Sequence, residues 1–479
     1  MRDDELRRLL GERNPWWKLS TLGRDPTSWA AADPTLAAAA ASGIVYDPPI
    51  LHDVAPPGLY VLRGPRRVGK SVAAKRLLLR FCRDERYTPI QLIFLSVDGF
   101  SLQDLRRALV LGRDMTSTVG DKPRIWVIDE ITAVPGWIPL IKELRDNTQL
   151  AHDALVLTGS SATDLADARR ALGTGRTHVS DPFRLLLPMT FRAFLDVTGV
   201  QLPATPLLPP SELQSRTADT AVRELSFFIG DLDLAWQRFL TCGGFPRAVA
   251  EFHQRRSISP EFVFDLLSWL ISDVSLGVEE STVVMLDLLQ SRMGSPLNLK
   301  NTAEHLRMSR TQWEERLRRL LAAMAAIRCA QVDDTGRPVV GSQAKYYLID
   351  PLLAHLPHLR EPTWAEPDMT RLTEAQLAAE IARCVDRLQP DRLIEQRAVA
   401  YTRTTSGNEI DFAPLPVAVK GQRTTTVPIE VKWVSKNWRR SALTLANRYG
   451  RGILATKDVA DTTGTAWAIP APILALLLN

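Results

Sequence analysis

Eight consecutive residues have the types and spacing needed to hold a row of phosphate groups. They follow the pattern Gly-x4-Gly-Lys-Ser and are Gly64, Pro65, Arg66, Arg67, Val68, Gly69, Lys70 and Ser71. Glycines let the backbone N–H groups of such a loop turn toward phosphate oxygens, and a helix that begins there adds the positive end of its dipole. The pattern therefore predicts an ATP site in which Lys70 contacts the β- and γ-phosphates and the Ser71 hydroxyl is a ligand of Mg²⁺.

Two adjacent acids are expected to complete this chemistry. Asp129 and Glu130 directly follow the apolar run at residues 125–128. An acid at the tip of a buried strand can hold the metal ion through a water, and its neighbour can polarise the water that attacks the γ-phosphate. We expect Asp129 to bind the metal together with Ser71, and Glu130 to be catalytic in ATP hydrolysis.

Two further residues could act on the γ-phosphate. Ser160 lies in the polar tip that follows the apolar run at residues 154–157, and we predict that it senses the phosphate. Arg176 follows a Gly-Thr-Gly segment, and an arginine on such a loop can neutralise charge during phosphoryl transfer. It could act within one subunit or across to a neighbour in a homo-oligomer, and a surface ion pair is the alternative.

A second group of charged residues lies near the C-terminus. Asp411 and Glu430 each stand between apolar neighbours in strand-like sequence, and Lys432 shares the face of Glu430 because side chains alternate along a strand. Two carboxylates and a lysine on adjacent strands can hold Mg²⁺ and activate a water for attack on a phosphodiester. Ordinary charge on an edge strand is the alternative reading of this pattern.

The elements that must position the phosphate loop alternate between short apolar runs and helix-length segments. The runs lie at residues 59–62, 90–97, 125–128 and 154–157, and a helical period follows the loop from Lys70. Alternation of this kind predicts an α/β domain with a parallel sheet covered on both faces.

The later part of the chain changes pattern several times. Residues 202–210 contain four prolines and predict a loop within a helical region. Two short helices broken near Ser309, followed by two candidate strands, suggest a winged helix, and a linker at residues 362–367 precedes a helix and further strands. We expect five segments: an N-terminal extension (1–45), a P-loop ATPase core (46–195), a helical lid (196–290), a winged helix (291–358) and an α/β domain (366–479).

Several short motifs follow one another along the chain. Besides the loop and the Asp129 pair, they are Thr-Gly-Ser-Ser at 158–161, Gly-Arg at 175–176, Leu-Pro-Met-Thr-Phe at 187–191, Gly-Gly-Phe-Pro at 243–246, Lys-Tyr-Tyr-Leu-Ile-Asp-Pro at 345–351, and Tyr-Thr-Arg at 401–403 with the acids up to Lys432. In this combination the chain resembles archaeal-type AAA-like ATPases that carry a C-terminal restriction-endonuclease-like PD-(D/E)xK domain. The resemblance implies that Arg176 serves the ATP site and that Asp411, Glu430 and Lys432 are nuclease residues.

The resemblance also implies an acid on the first helix of the nuclease-like domain. Glu374 and Glu380 both lie on that helix, six residues apart, so they do not share a face. Glu380 is nearer to Asp411 in sequence and is our candidate catalytic acid, whereas Glu374 better fits the apolar spacing. The choice between them stays open at this point.

Charge and composition bear on the partners. From Arg397 to the end the chain has eleven Lys or Arg and five Asp or Glu, although the whole chain carries a formal charge of only +5. A basic C-terminal domain fits a nucleic acid, most simply DNA, and the local run Lys436, Trp438, Arg439 and Arg440 combines cations with an aromatic ring. The arginines at 307–319 of the predicted winged helix could also approach a duplex, or form a solvated face balanced by Glu314 and Glu315.

The remaining features indicate an ordinary cytoplasmic protein that does not involve a membrane. The four cysteines are widely separated, the N-terminus lacks an apolar leader, and the apolar run at 466–478 is too short to span a bilayer. We expect an ATP-binding and ATP-hydrolysing protein coupled to DNA binding and to Mg²⁺-dependent cleavage, in defence or DNA processing. The alternative is an ATP-dependent switch whose inactive nuclease-like domain only docks DNA or a protein partner.

Overall fold

The structure is a computed structural model. It describes the whole chain except residues 160–167, 169, 170, 173–177, 180, 276–278, 404–408 and 437. The chain forms two compact units, Met1–Leu187 and Pro188–Asn479. No helix in the described ranges is both long enough and apolar enough to cross a membrane.

The first unit is built on a five-stranded sheet. Its helices are α1 (Asp3–Arg13), α2 (Pro15–Thr21), α3 (Trp29–Ala32), α4 (Pro34–Ala41), α5 (Lys70–Cys82), α6 (Leu102–Met115) and α7 (Trp137–Asn147). Its strands are β1 (Gly58–Arg63), β2 (Leu92–Ser96), β3 (Ile125–Asp129), β4 (Ala154–Thr158) and β5 (Phe183–Leu185). Short 3₁₀ turns lie at Pro49–Leu51, Pro89–Gln91, Ser117–Val119, Ile131–Ala133 and Gln149–His152.

All neighbouring strands of this sheet are parallel, in the order β2-β3-β4-β1-β5. Strands β1, β3 and β4 are buried along their whole length, as expected where helices cover both faces of a sheet. The α/β prediction is confirmed, together with the four strands expected from apolar runs. The short strand β5 was not predicted.

The N-terminal helices cover the edge of the sheet at β2. The Asn14 amide donates to Phe94 O (3.0 Å) and its oxygen accepts from Phe94 N (2.6 Å), as a neighbouring strand would. The indole N–H groups of Trp16 and Trp17 both donate to Leu92 O. An unpaired strand edge invites pairing with other chains, so these side chains close a surface that the sheet alone would leave open.

The second unit begins with helices and continues with three small sheets. Its helices are α8 (Phe191–Thr198), α9 (Arg216–Ser226), α10 (Ile229–Cys242), α11 (Pro246–Arg255), α12 (Pro260–Asp273), α13 (Glu279–Arg292), α14 (Leu299–His305), α15 (Arg310–Ala322), α16 (Pro351–Arg360), α17 (Met369–Leu388), α18 (Trp438–Tyr449) and α19 (Ala471–Leu478). Its strands are β6 (Ala326–Gln331), β7 (Lys345–Leu348), β8 (Ala400–Arg403), β9 (Glu409–Ile410), β10 (Pro416–Val419), β11 (Gln422–Thr425), β12 (Ile429–Val431), β13 (Gly452–Thr456) and β14 (Ala466–Pro470).

The sheets of this unit have the orders β7-β6-β8-β9, β10-β11 and β12-β13-β14. Strand β6 pairs antiparallel with β7 and parallel with β8, so one sheet joins the segments on both sides of the expected linker at 362–367. The expected helix pair is present as α14 and α15, and the Ser309 hydroxyl caps α15 by accepting from Gln312 N at 3.2 Å. The domain boundaries given above remain predictions.

Three of the short sequence motifs meet in one corner of the second unit. Both Asp350 oxygens accept backbone N–H groups, from Gly244 at 2.7 Å and from Leu352 at 2.9 Å, and Met189 N donates to Gly244 O at 2.7 Å. Gly243 has a φ of +69°, and a Cβ there would lie 2.0 Å from an Asp350 oxygen. The glycine pair is therefore required by packing in this corner.

Candidate functional site

The phosphate loop joins β1 to α5. A Cβ on Gly64 would lie 1.9 Å from Leu186 O, so only glycine fits where the loop leaves the strand. Gly69 has a φ of +96° and is the residue before α5, whose first two residues are Lys70 and Ser71. The backbone between β1 and α5 thus has the strand-to-helix turn with glycines at both ends that a phosphate-binding loop requires.

Lys70 lies across the loop that it is predicted to serve. Its side chain is largely buried, and its ammonium group donates to Gly64 O at 2.9 Å and to Pro65 O at 2.8 Å. Arg66 and Arg67 are exposed at the loop tip, whereas Val68 is buried beneath it. The loop therefore has a buried cation at the N-terminus of α5, where an anion is also favoured by the helix dipole.

The acids Asp129 and Glu130 stand at the carboxyl end of β3. The Thr158 hydroxyl donates to Asp129 Oδ1 and accepts from Glu130 N at 3.2 Å. Glu130 has a φ of +60°, so the chain turns sharply after Asp129 and the two carboxylates leave the strand in different directions. Strand β4, which carries Thr158, lies between β3 and the loop strand β1.

Two residues near this site were not singled out from the sequence. Thr158 belongs to the polar tip that was expected beside Asp129, but its contact with Asp129 depends on the pairing of β3 with β4. The Arg13 guanidinium donates to Ser96 O, and Ser96 is the register partner of Asp129. Burial lowers the pKa of Arg13 and the Asp129 carboxylate partly offsets this. No motif marks Arg13, because it lies on α1, far from the loop in sequence.

The predicted sensor Ser160 and the predicted arginine Arg176 lie outside the described residues. Both assignments therefore stay predictions.

The C-terminal residues Asp411, Glu430 and Lys432 are brought together in the second unit. Phe412 and Ile429 form an antiparallel bridge, and Val431 N donates to Asp411 Oδ2 at 2.9 Å. The Lys432 ammonium lies 3.2 Å from Glu430 Oε1. Burial raises the pKa of Glu430; it also lowers that of Lys432, but the neighbouring carboxylates raise the pKa of Lys432 by more.

Glu380 does not join them, which corrects the choice made from sequence. It is fully buried, where its carboxylate accepts from Phe191 N (3.0 Å) and from the side-chain amides of Gln376 (2.8 Å) and Asn479 (3.0 Å). These contacts hold the start of α8. Six residues of α-helix turn the side chain through about 240°. Glu374 therefore points to a different side of α17 from Glu380, and it lies near Asp411.

Glu374 belongs to a group that we call the acid cluster, made of Glu374, Glu409 and Asp411. One oxygen of each carboxylate lies near the ammonium of Lys345, at 3.2, 2.7 and 2.9 Å respectively. The Tyr347 hydroxyl also donates to Glu374, at 2.5 Å. Burial, with a further contribution from Asp411, raises the pKa of Glu374 to about 7.

Lys345 and Glu409 are residues of this site that were not singled out from the sequence, and Lys345 is the more distant of the two from Asp411. It lies in the Lys-Tyr-Tyr motif on β7, in the segment expected to be a winged helix, and is separated from Asp411 by 66 residues. The only sequence signal was its place in that motif. Its contact with the acids comes from the sheet that joins β7 through β6 to β8 and β9.

The two predicted metal sites differ in how well their residues fit Mg²⁺. Ser71 and Asp129 offer a hydroxyl and an oriented carboxylate, which suit an ion that prefers oxygen ligands. At the second site Asp411 already contacts the Lys345 ammonium through one oxygen and Val431 N through the other. Within the described ranges, no group of three or more His, Cys, Asp or Glu side chains is placed to hold a metal ion. Because the Lys345 ammonium stands among the three acids and both Asp411 oxygens are engaged, the residues around Asp411 do not fit Mg²⁺ while Lys345 is in place.

Comparison with known proteins bears on the first site. Residues 57–195 match a family model described as an AAA domain. Together with the parallel sheet and the loop geometry, this match identifies an AAA-type P-loop core. No curated protein matches the chain.

Solved structures give a weaker likeness. A Walker-type ATPase of Pyrococcus abyssi is 13% identical, with a TM-score of 0.39 over 64% of this chain and 92% of that one. The ORC2 protein of Aeropyrum pernix, solved as ADPNP-ADP complexes, is 12% identical with a TM-score of 0.33 over 70% and 95%. The ORC1 protein of the same organism, solved in complex with DNA, is 15% identical with a TM-score of 0.26 over 66% and 89%.

Proposed function

We propose that this protein binds and hydrolyses ATP at the loop that ends in Lys70 and Ser71. The observation that carries the proposal is the combination of a buried lysine at the start of α5 with an acid, Asp129, oriented by Thr158. Backbone N–H groups of the loop and the Lys70 ammonium would bind the β- and γ-phosphates. A Mg²⁺ ion held by Ser71 and Asp129 would neutralise charge on the phosphate oxygens.

In this proposal Glu130 is the group that accepts a proton from the attacking water. Its backbone N–H is held by the Thr158 hydroxyl, which also donates to the Asp129 carboxylate, so a single side chain fixes the backbone at Glu130 and the carboxylate of Asp129. A positioned carboxylate of this kind contributes about 10²–10⁴-fold to the rate.

The test is ATP turnover by Glu130→Gln, which removes the base and preserves the shape of the side chain. We expect nucleotide binding to be retained and the hydrolysis rate to fall by about 10²–10⁴-fold. Glu143→Gln is the matched control, because Glu143 is an exposed carboxylate of the same unit, paired with Arg106 at its surface. Turnover at the wild-type rate by Glu130→Gln would rule out its role as the base.

We also propose that the second unit binds nucleic acid through the start of α18. Lys436, Arg439 and Arg440 are exposed there. The Arg439 guanidinium lies 5.2 Å from the ring centre of Trp438 and 3.5 Å from the Asp461 carboxylate, an acid outside α18. Exposed cations beside an aromatic ring suit contact with a phosphate backbone and with unstacked bases.

The arginines of α15 give a useful contrast. Arg310 pairs with Glu314 at 2.7 Å, and both Arg318 and Arg319 pair with Glu315. These three arginines are ion-paired within their own helix, although the helix as a whole carries four Arg and two Glu. The reading of α15 as a solvated, ion-paired face is therefore favoured over a nucleic-acid contact.

Salt dependence of DNA retention tests the proposed surface. Each phosphate contact adds about 0.9 to the slope of log affinity against log salt concentration. We expect Arg439→Ala/Arg440→Ala to lower that slope by about 1–2, and the control Arg310→Ala/Arg318→Ala to leave it unchanged. Equal losses in both double variants would mean that DNA does not bind at α18, and no salt-sensitive retention of the wild type would remove the DNA proposal.

Of the two roles considered for the nuclease-like domain, we propose binding without cleavage. The observation that favours it is the Lys345 ammonium inside the acid cluster, where a nuclease would hold its metal. Plasmid and linear DNA incubated with Mg²⁺ or Mn²⁺, with and without ATP, should be retained without new ends. Metal-dependent cutting that disappears in Lys432→Ala would establish the nuclease instead.

A further inference from the structure

Lys345 donates hydrogen bonds to Glu374 and Asp411 and forms a further ion pair with Glu409 within the acid cluster. An ammonium group has three N–H donors and no acceptor. Three carboxylates surround it, with oxygens of Glu409, Asp411 and Glu374 at 2.7, 2.9 and 3.2 Å. The number of donors and the number of acidic partners are therefore equal.

The lysine side chain is enclosed by the protein. It has no exposed surface, its ammonium lies 5.4 Å from the ring centre of Tyr401, and its backbone is paired with Cys329 on the buried strand β6. Pairing of β7 with β6 fixes the backbone from which this buried side chain extends. The contact with the cluster is thus part of the folded unit.

The charges of this group are nearly balanced. Three acids face Lys345, and Arg403 provides a second cation, 3.1 Å from Glu409. Burial lowers the pKa of Lys345, but Asp411 and Glu374 together raise it by more, so the side chain stays charged at ordinary pH. An uncompensated group of buried carboxylates would be costly, since each carries a large desolvation penalty.

A divalent cation would require the same oxygen atoms. Mg²⁺ takes oxygen ligands at about 2.0–2.1 Å and Ca²⁺ at about 2.3–2.6 Å. The space between these oxygens is filled by the Lys345 Nζ, and the second oxygen of Asp411 is engaged by Val431 N at 2.9 Å. The ammonium and a metal ion would also repel each other at this distance.

We propose that Lys345 takes the place of a divalent cation in the acid cluster, so that removing its charge creates a metal site that the wild-type protein lacks. This inference goes beyond the proposed function. It holds or fails independently of ATP turnover and DNA binding, because its test uses neither ligand. The lysine is a structural counter-ion and is not assigned a catalytic role.

The experiment is titration of the full chain with Mn²⁺, without nucleotide or DNA, followed by calorimetry and by the electron paramagnetic resonance of free Mn²⁺. Lys345→Met keeps the unbranched shape of the side chain, removes its charge and ends one atom short of the Nζ position. We expect this variant to bind one Mn²⁺ more than the wild type. We expect Lys345→Met/Asp411→Asn to lose that additional ion, which distinguishes the cluster from the site at Ser71 and Asp129.

A second variant covers the case in which Lys345→Met does not fold. Lys345→Met/Glu374→Gln removes one positive and one negative charge, leaving Glu409 and Asp411 to bind the ion. Circular dichroism and urea unfolding establish which variants are folded. A folded variant of either kind that binds no more Mn²⁺ than the wild type would overturn the proposal. So would wild-type protein that binds an Mn²⁺ ion lost in Asp411→Asn, and this arm needs no Lys345 variant.

Discussion

The phosphate loop of the first unit and the acid cluster of the second each place a buried lysine against oxygen atoms, but the oxygens differ in charge and origin. Lys70 donates to two neutral carbonyls of its own loop. Lys345 forms ion pairs with three carboxylates from two other segments of the chain, α17 and the end of β9. Three acids already supply counter-charges to Lys345, whereas Lys70 stands at the N-terminus of α5, where the helix dipole favours an anion.

The two sites also differ in how the chain builds them. The loop is eight consecutive residues between a strand and a helix, so its geometry follows largely from local sequence. The acid cluster needs β7, α17 and β9 together, brought into place by a sheet and a helix. A buried lysine can therefore bind a ligand or replace one, depending on the charges that the fold places around it.

The largest expected effect is on the free energy of unfolding when Lys345, the counter-ion of the acid cluster, is replaced. Lys345→Met should lower the free energy of unfolding by about 3–5 kcal/mol, because removing one partner leaves buried charges unpaired. Lys432→Met is the control, since its half-exposed ammonium has one acidic partner within ion-pair distance and should cost at most about 1 kcal/mol. Urea unfolding measures both, and equal small effects would contradict the counter-ion role.

The loop lysine should instead act on a ligand. Lys70→Ala is expected to lower nucleotide affinity by about 2–5 kcal/mol, at least about 30-fold, in a titration with fluorescent ATP. Lys75→Ala lies on the same helix, but its lysine pairs with Asp33 at 2.7 Å and should leave affinity unchanged. If Lys70→Ala bound nucleotide as the wild type does, the site would lie elsewhere.

The backbone requirement of the loop can be separated from its charge. Gly64→Ala should destabilise the first unit by about 1–3 kcal/mol, because its Cβ would meet Leu186 O at 1.9 Å. Gly69→Ala meets no atom within 4 Å and should show only the strain of a positive φ, about 1 kcal/mol. Thermal unfolding of both variants checks the order, and a reversed order would mean that the turn at Gly64 can relax.

The acid cluster should also make stability depend on pH. The pKa of Glu374 is raised from its ordinary 4.5 to about 7, chiefly by burial. A raised pKa means that its contribution to stability is present below about pH 4.5 and is lost as the pH rises through about 7. Glu374→Gln cannot ionise, so its stability relative to the wild type should increase between pH 5 and pH 8.

Urea unfolding at several pH values in that range measures this difference. Glu314→Gln, at a partly exposed residue of α15 paired with Arg310, serves as the control and should show no such trend. A difference between Glu374→Gln and the wild type that does not change with pH would show that Glu374 ionises normally in the folded protein.

Most strands of the first unit and the position of its phosphate loop could be predicted from the sequence alone. The apolar runs predicted four of the five strands, and the Gly-x4-Gly-Lys-Ser pattern marked the turn from β1 to α5, because both signals are local. The sequence also indicated that Asp411, Glu430 and Lys432 lie together, since alternation along two short strands determines which side chains share a face. The roles of Ser160 and Arg176 were also inferred from neighbouring residues in the sequence, and they stay predictions.

The contacts of the remaining site residues became clear only from the tertiary structure. Periodicity along α17 could not show which of its two acids faces Asp411, because that depends on the neighbour against which each side of the helix packs. Glu380 instead holds the start of α8, and Glu374 joins the acid cluster. Lys345 and Arg13 reach their sites across long stretches of chain, and strand pairing and helix packing between distant segments leave no signal at the residues themselves. Electrostatic contacts of this kind are set by position in space, which a linear pattern does not contain.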